Sequence, residues 1–154
     1  MNVHITYWEE LWQGGVEMDN KDLAQKVNTT LYYMLSSLNE NSIWPTGPGG
    51  LATNGYWGNA FWDNDMWSML SVLPMWPELA KTGITYRYER MGEASKYAIK
   101  HNSKGLYFPW QTAVTGKAVD LAALGEQFNV KEKHTGADIV LLSKQYWDAT
   151  GDYT

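Results

Sequence analysis

The chain has 154 residues, 44% hydrophobic and 19% charged, with a net charge of −5. That is one domain's length, with apolar content enough for a core and too high for a disordered chain. Its twelve basic residues are scattered and it has no cysteine, which argues against nucleic-acid or polybasic membrane-surface binding and removes disulfides, thiolate nucleophiles and cysteine-ligated metal.

The opening, Met1-Asn2-Val3-His4-Ile5, has no basic segment followed by an apolar run, and no stretch approaches the roughly 18 apolar residues of a membrane span. If Met1 is the initiating residue, the chain is expected to be cytoplasmic. A short amphipathic piece covers Tyr7 to Trp12 and breaks at Gly14-Gly15. From Asp22 to Leu38 the positions Leu23, Val27, Leu31, Met34, Leu35 and Leu38 recur with helical spacing and predict one buried face. Asn39 to Gly58 carries Pro45, Pro48 and five glycines, too many breakers for regular structure. An irregular run of that length inside a domain points to function.

Helix resumes near Asp65, with Met66, Met69, Leu70 and Leu73 on one face, and stops at Pro74. Pro77 suits the first position of the next helix, whose apolar set Leu79, Ala80, Ile84, Tyr88, Met91, Ala94 and Ala98 is interrupted near Gly92. The stretch from Gly105 to Val130 is mixed, with Leu106-Tyr107-Phe108 ended by Pro109 and a run of small residues from Leu121 to Gly125. A last helix runs from Thr135 to Thr150, with a capping-box-like Thr135 and Asp138 and an inner face of Ile139, Leu142, Tyr146 and Ala149. The pattern predicts an all-α fold of about five helices.

Nine tryptophans and ten tyrosines against three phenylalanines give aromatic rings that mostly carry a polar handle. Such rings fill helical cores, and they also stack on the C–H faces of sugars. The densest group is Gly55-Tyr56-Trp57-Gly58-Asn59-Ala60-Phe61-Trp62-Asp63-Asn64-Asp65-Met66-Trp67. Asp63 and Asp65 would stand at a helix N-terminus, so each has two readings, a cap or a site carboxylate. A second group is Phe108-Pro109-Trp110-Gln111; a third, Glu132-Lys133-His134, reads either as a solvated charge run or as part of a site. His4, His101 and His134 share no metal-ligand spacing, no nucleophile elbow is present, and no metal or cofactor is expected.

Taken in order, these groups resemble glycoside hydrolase family 65. The resemblance rests on Phe61-Trp62-Asp63-Asn64-Asp65, Pro77-Glu78-Leu79-Ala80, Tyr86-Arg87-Tyr88, Phe108-Pro109-Trp110-Gln111-Thr112-Ala113, Glu132-Lys133-His134 and Tyr146-Trp147-Asp148-Ala149-Thr150-Gly151-Asp152. Upstream it takes in Trp8-Glu9-Glu10-Leu11-Trp12, the segment Asn28 to Leu38, and Pro48-Gly49-Gly50-Leu51. Nearly the whole chain is covered, and the branch it looks most similar to contains acid trehalases and the glucosyl-galactosyl-hydroxylysine glucosidase.

The resemblance implies an incomplete (α/α)6 barrel, about five helices of twelve, with residues 1–21 leading into the barrel and 22–154 forming part of it. It implies inversion at an α-glucoside, with a general acid and a base about 6.5 to 9.5 Å apart. In the family the acid is a glutamate well downstream of the segment matched by Ala149-Thr150-Gly151-Asp152, so no catalytic residue is expected in this chain. Trp62 and Asp63 would hold the non-reducing glucose, Trp110 and Gln111 would lie on the sugar-facing rim, and His134 near it. Asn59 stands where the family usually has histidine, and Gln111 where glutamate is common. Two alternatives remain at this stage: a part of a disaccharide phosphorylase, or a non-catalytic helical carbohydrate-binding module. Trp8, Trp12, Trp67, Trp76 and Trp147 are expected to pack helices, while Trp44 and Trp57 have no assigned role.

Overall fold

A computed structural model describes residues 2–44, 46–119 and 125–153, with side chains at 125–127 left aside. Among these residues there is no β-strand, and seven α-helices are present. They are α1 (Asn2–Trp12), α2 (Lys21–Leu35), α3 (Met69–Val72), α4 (Pro77–Glu89), α5 (Met91–Lys100), α6 (Gly125–Lys131) and α7 (Thr135–Thr150). The all-α expectation holds, with two more helices than sequence spacing gives. One arises because the run from Pro77 breaks at Arg90 into two helices; the other is α6, hidden in the mixed stretch. Pro45 and the small-residue run at 121–124 lie outside the described residues. No helix among the described residues is long and apolar enough to cross a membrane.

The main core joins Leu31 and Leu35 of α2, Met69, Val72, Leu73 and Trp76 around α3, Leu79 and Ala80 of α4, and Leu142 and Tyr146 of α7. Trp8, Leu11 and Trp12 of α1 pack on it, and the Trp76 indole N–H donates to the Leu11 carbonyl at 2.9 Å. α2 opens at Asn20, whose side chain accepts from the Leu23 N–H at 3.0 Å, as a helix N-cap should. Pro77 occupies the first turn of α4. Within α4 the buried face is Ala80, Gly83 and Arg87 rather than the Tyr88 side, and Tyr88 is exposed. Gly83 explains the shift: a Cβ there would sit 2.5 Å from Met69 Cγ, so the missing side chain lets α3 close on α4.

The C-terminus of α7 is closed by Gly151 in the left-handed conformation, φ 70°. Asp152 then accepts hydrogen bonds from Lys81 Nζ at 2.6 Å and from the Tyr146 hydroxyl at 3.0 Å, tying the end of α7 to α4.

The candidate sugar site and its scaffold

The turn-rich stretch folds over α2 through two short 3₁₀ turns, Gly50–Ala52 and Gly55–Gly58. Ser37 Oγ accepts from the Leu51 N–H at 2.9 Å, and Gly50, at φ +52°, lies so near that a Cβ would be 2.2 Å from that oxygen. Tyr56 and Trp57 are also left-handed, at φ 64° and 50°. For non-glycine residues this conformation costs about 1 to 2 kcal/mol each, and the loop uses it to display Trp57 at 72% exposure.

From Asn59 the chain turns inward. Ala60 exchanges both backbone hydrogen bonds with Thr112, at 2.8 and 3.0 Å, which fastens the Phe61-Trp62-Asp63 segment beside the Trp110-Gln111-Thr112 segment. A π-helical turn, Asn64–Ser68, follows, in which the Met69 N–H reaches back five residues to the Asn64 carbonyl. Such wide turns recur at functional sites. Here the turn separates two aspartates only two positions apart: Asp63 stays half-buried, and Asp65 is fully enclosed.

Asp65 is not a helix cap. Its carboxylate receives Arg87 Nε at 3.1 Å and Nη2 at 2.6 Å, a two-point ion pair. Two further guanidinium N–H groups go to the Phe61 carbonyl at 3.2 Å and to Thr112 Oγ1 at 3.4 Å. The Tyr86 hydroxyl lies 2.8 Å from Thr112 Oγ1 and donates to the Ala113 carbonyl at 2.7 Å. Tyr86-Arg87 therefore binds both site segments to α4. Burial, the largest influence, raises the Asp65 pKa against the downward pull of Arg87. Arg87 is desolvated too, but the facing carboxylate holds its pKa above the ordinary value. A cation on the buried face of α4, in register with Ala80 and Gly83, was the available sequence signal for this hub.

Of the expected site residues, Trp62, Asp63 and His134 come together. The Trp62 and His134 rings meet edge to face at 5.2 Å and 83°, and Trp67 borders Trp62 at 5.9 Å. Asp63 makes no capping bond. Burial raises its pKa, partly offset by its own backbone N–H and by the nearby His134. Trp110 lies on the other side of Phe61, rings 5.0 Å apart, and tilts against Phe128 of α6 at 5.4 Å. The Gln111 side chain is buried, and its Nε2 has no hydrogen-bond partner among the described residues. It is covered because its backbone is gripped by α6: the Gln111 N–H donates to Asn129 Oδ1 at 2.9 Å, and Asn129 Nδ2 donates to the Val119 carbonyl at 3.0 Å.

Trp76 is buried and Trp8 and Trp12 pack on the core, as expected for helix packing. Trp67 and Trp147 are instead exposed, at 57% and 44%. Trp67 sits on the outer side of the π-turn beside Trp62; Trp147 faces away from the α7 core residues and pairs with Tyr153, rings 5.0 Å apart.

Among the described residues, no three His, Asp or Glu side chains form a group able to hold a metal ion. A separate cavity of about 210 Å³ opens between α2 and the 46–50 loop, lined among others by Tyr33, Met34, Ser37, Thr46 and Ser68. It has no carboxylate or imidazole in its lining.

Comparison with known proteins gives this chain a family. A kojibiose hydrolase of Mucilaginibacter mallensis is 34% identical over 99% of this chain and 22% of its own length. A protein-glucosylgalactosylhydroxylysine glucosidase of Dictyostelium discoideum is 34% identical over 97% of this chain and 21% of its own length. Among solved structures, a putative kojibiose phosphorylase from the human microbiome superimposes with a TM-score of 0.75 at 26% identity, covering 84% of this chain and 18% of that one. The chain thus spans about a fifth of the length of the curated relatives it matches, and its helical fold corresponds to part of an (α/α)6 barrel. Residues 28–154 match the model of the glycosyl hydrolase family 65 central catalytic domain, and the chain belongs to that family.

Proposed function

We propose that this chain supplies part of the glucosyl-binding subsite of an inverting α-glucoside hydrolase, with the general acid and base contributed by residues outside these 154. Residues 22–154 are assigned to the barrel and 1–21 to the segment leading into it. The observation that carries the reading is the convergence of Trp62, Asp63 and His134 on the scaffold built by Asp65 and Arg87. An indole face suits the C–H face of a pyranose, and a half-buried carboxylate that makes no helix-capping bond is available to sugar hydroxyls. Trp110 would extend the rim, with Gln111 supporting it from below.

The test uses the 154-residue chain itself. It should bind glucose saturably and turn over neither kojibiose nor trehalose. Hydrolysis of either would contradict the placement of the acid and base elsewhere.

The likeness to a putative kojibiose phosphorylase favours a second reading, in which the same glucosyl subsite serves phosphorolysis. Phosphate then takes the place of activated water as nucleophile. A longer chain carrying the remaining barrel separates the two: phosphate-dependent release of glucose 1-phosphate marks phosphorolysis, and phosphate-independent release of glucose marks hydrolysis.

A further inference from the structure

The start of α7 departs from an ordinary helix cap. His134 occupies the N-cap position, yet its side chain bonds no backbone N–H of the first turn. Its Nδ1 instead faces the carboxylate of Asp138, one turn along, at 2.5 Å. The second ring nitrogen faces Glu132 at 3.5 Å. The two carboxylates are not equivalent: Asp138 is at hydrogen-bond distance with a side chain 14% exposed, whereas Glu132 is farther away and 42% exposed. An ionised carboxylate only accepts, so Nδ1–H donates to Asp138, and that bond fixes both the tautomer and the ring orientation.

Asp138 stands in the first turn of α7, where a capping box would use it and Thr135 to satisfy free backbone donors. Its carboxylate turns to the imidazole instead.

What the oriented ring meets is Trp62, edge to face, and Trp62 has Trp67 on another side. Asp138 is also close enough to the buried pair for both Asp65 and Arg87 to feel its charge. A single carboxylate thus bonds one support of the Trp62-Asp63 segment and lies within Coulombic reach of the other.

We propose that Asp138 is a positioning residue of the sugar site: by bonding His134 Nδ1 it sets the imidazole against which the Trp62 indole rests, and through it the plane on which a glucose ring stacks. The inference rests on Trp62 being that platform, and its test separates the two ideas because the first readout needs no sugar. In the ¹⁵N-labelled chain, His134 and Trp62 signals are assigned with His134→Gln and Trp62→Phe. The wild type should show the Nδ1–H tautomer at His134. Asp138→Ser, whose hydroxyl is too short to reach the ring, should lose that signature and shift the Trp62 indole N–H resonance.

Asp138→Asn, whose amide oxygen still accepts from Nδ1–H, should restore both signals, and Glu132→Gln should leave both in place. The Arg87 Nε–H resonance should persist in all of them and certifies the fold. Unchanged His134 and Trp62 signals in Asp138→Ser, or an Asp138→Asn spectrum as altered as that of the serine variant, would overturn the proposal. Glucose is then added to the wild type. Failure to bind would defeat the platform reading and leave the sugar-free result standing, while binding weakened in Asp138→Ser and restored in Asp138→Asn supports both.

Discussion

Asp65 and Arg87 meet through two contacts, 2.6 and 3.1 Å, with side chains only 0% and 2% exposed, and the guanidinium passes on to the Phe61 carbonyl and Thr112. The pair joins α4 to both segments that carry the expected sugar-site residues. Removing one member strands the other. Arg87→Met should cost about 3 to 5 kcal/mol of unfolding free energy, read by urea denaturation. Combining it with Asp65→Asn should cost clearly less than the sum of the single changes, since neither charge is then left alone. Additive losses would show that the two side chains act independently.

The Tyr86 hydroxyl ties α4 to Thr112 and Ala113. Tyr86→Phe keeps the ring and removes those links, so it should destabilise by about 1 to 3 kcal/mol. The same denaturation curve checks it, and an unchanged midpoint would mean that the Tyr86 hydroxyl contributes nothing to holding the segment.

Gly83 makes room for Met69, and a Cβ would lie 2.5 Å from Met69 Cγ. Gly83→Ala raises helix propensity and would stabilise an exposed helix by up to about 1 kcal/mol. Here overpacking should win, with a net loss of about 1 to 3 kcal/mol. A companion change, Met69→Ala, should absorb part of that loss in the double variant, as thermal melting would report.

Asp63 behaves oppositely to a structural cap. Burial raises its pKa above the ordinary carboxylate value. A carboxyl with a raised folded pKa binds its proton more tightly when folded, so its contribution to stability is present below the unfolded pKa and is lost as pH rises through the folded pKa. Asp63→Asn should therefore melt at or above the wild-type temperature at pH 7, with an advantage that shrinks as the pH falls through the raised folded pKa and is gone below the unfolded carboxyl value. A lower melting temperature at pH 7 would make Asp63 a structural group.

The helices with strong apolar spacing were legible in the sequence: Leu31 and Leu35 of α2, and Ile139, Leu142 and Tyr146 of α7, are all buried. Met69 and Leu73 are buried and Leu70 packs on the core as the spacing predicts, whereas Met66, inside the π-turn, is only half-buried and Val72 joins the inward face. Periodicity fails at Tyr88, where Gly83 turns the buried face of α4 toward Ala80 and Arg87, and at Met91, where the chain breaks at Arg90. The capping-box reading of Thr135 and Asp138 gives way to the His134–Asp138 bond, a contact that spacing permits but does not rank above a cap. At the site, motif order marks Trp62, Asp63 and His134, and the structure brings them together. Arg87 appears in a matched motif too, but its role as hub depends on which helix face is buried, a tertiary matter.

The central claim, that Trp62, Asp63 and His134 form a glucosyl subsite, is tested most directly by following the Trp62 indole N–H and the His134 ring signals by NMR as glucose is added. Saturable shifts of both in the wild type, lost in Asp63→Ala while the Arg87 Nε–H signal persists, are the predicted result. Absence of shifts in the wild type, or the same titration in Asp63→Ala, would contradict it.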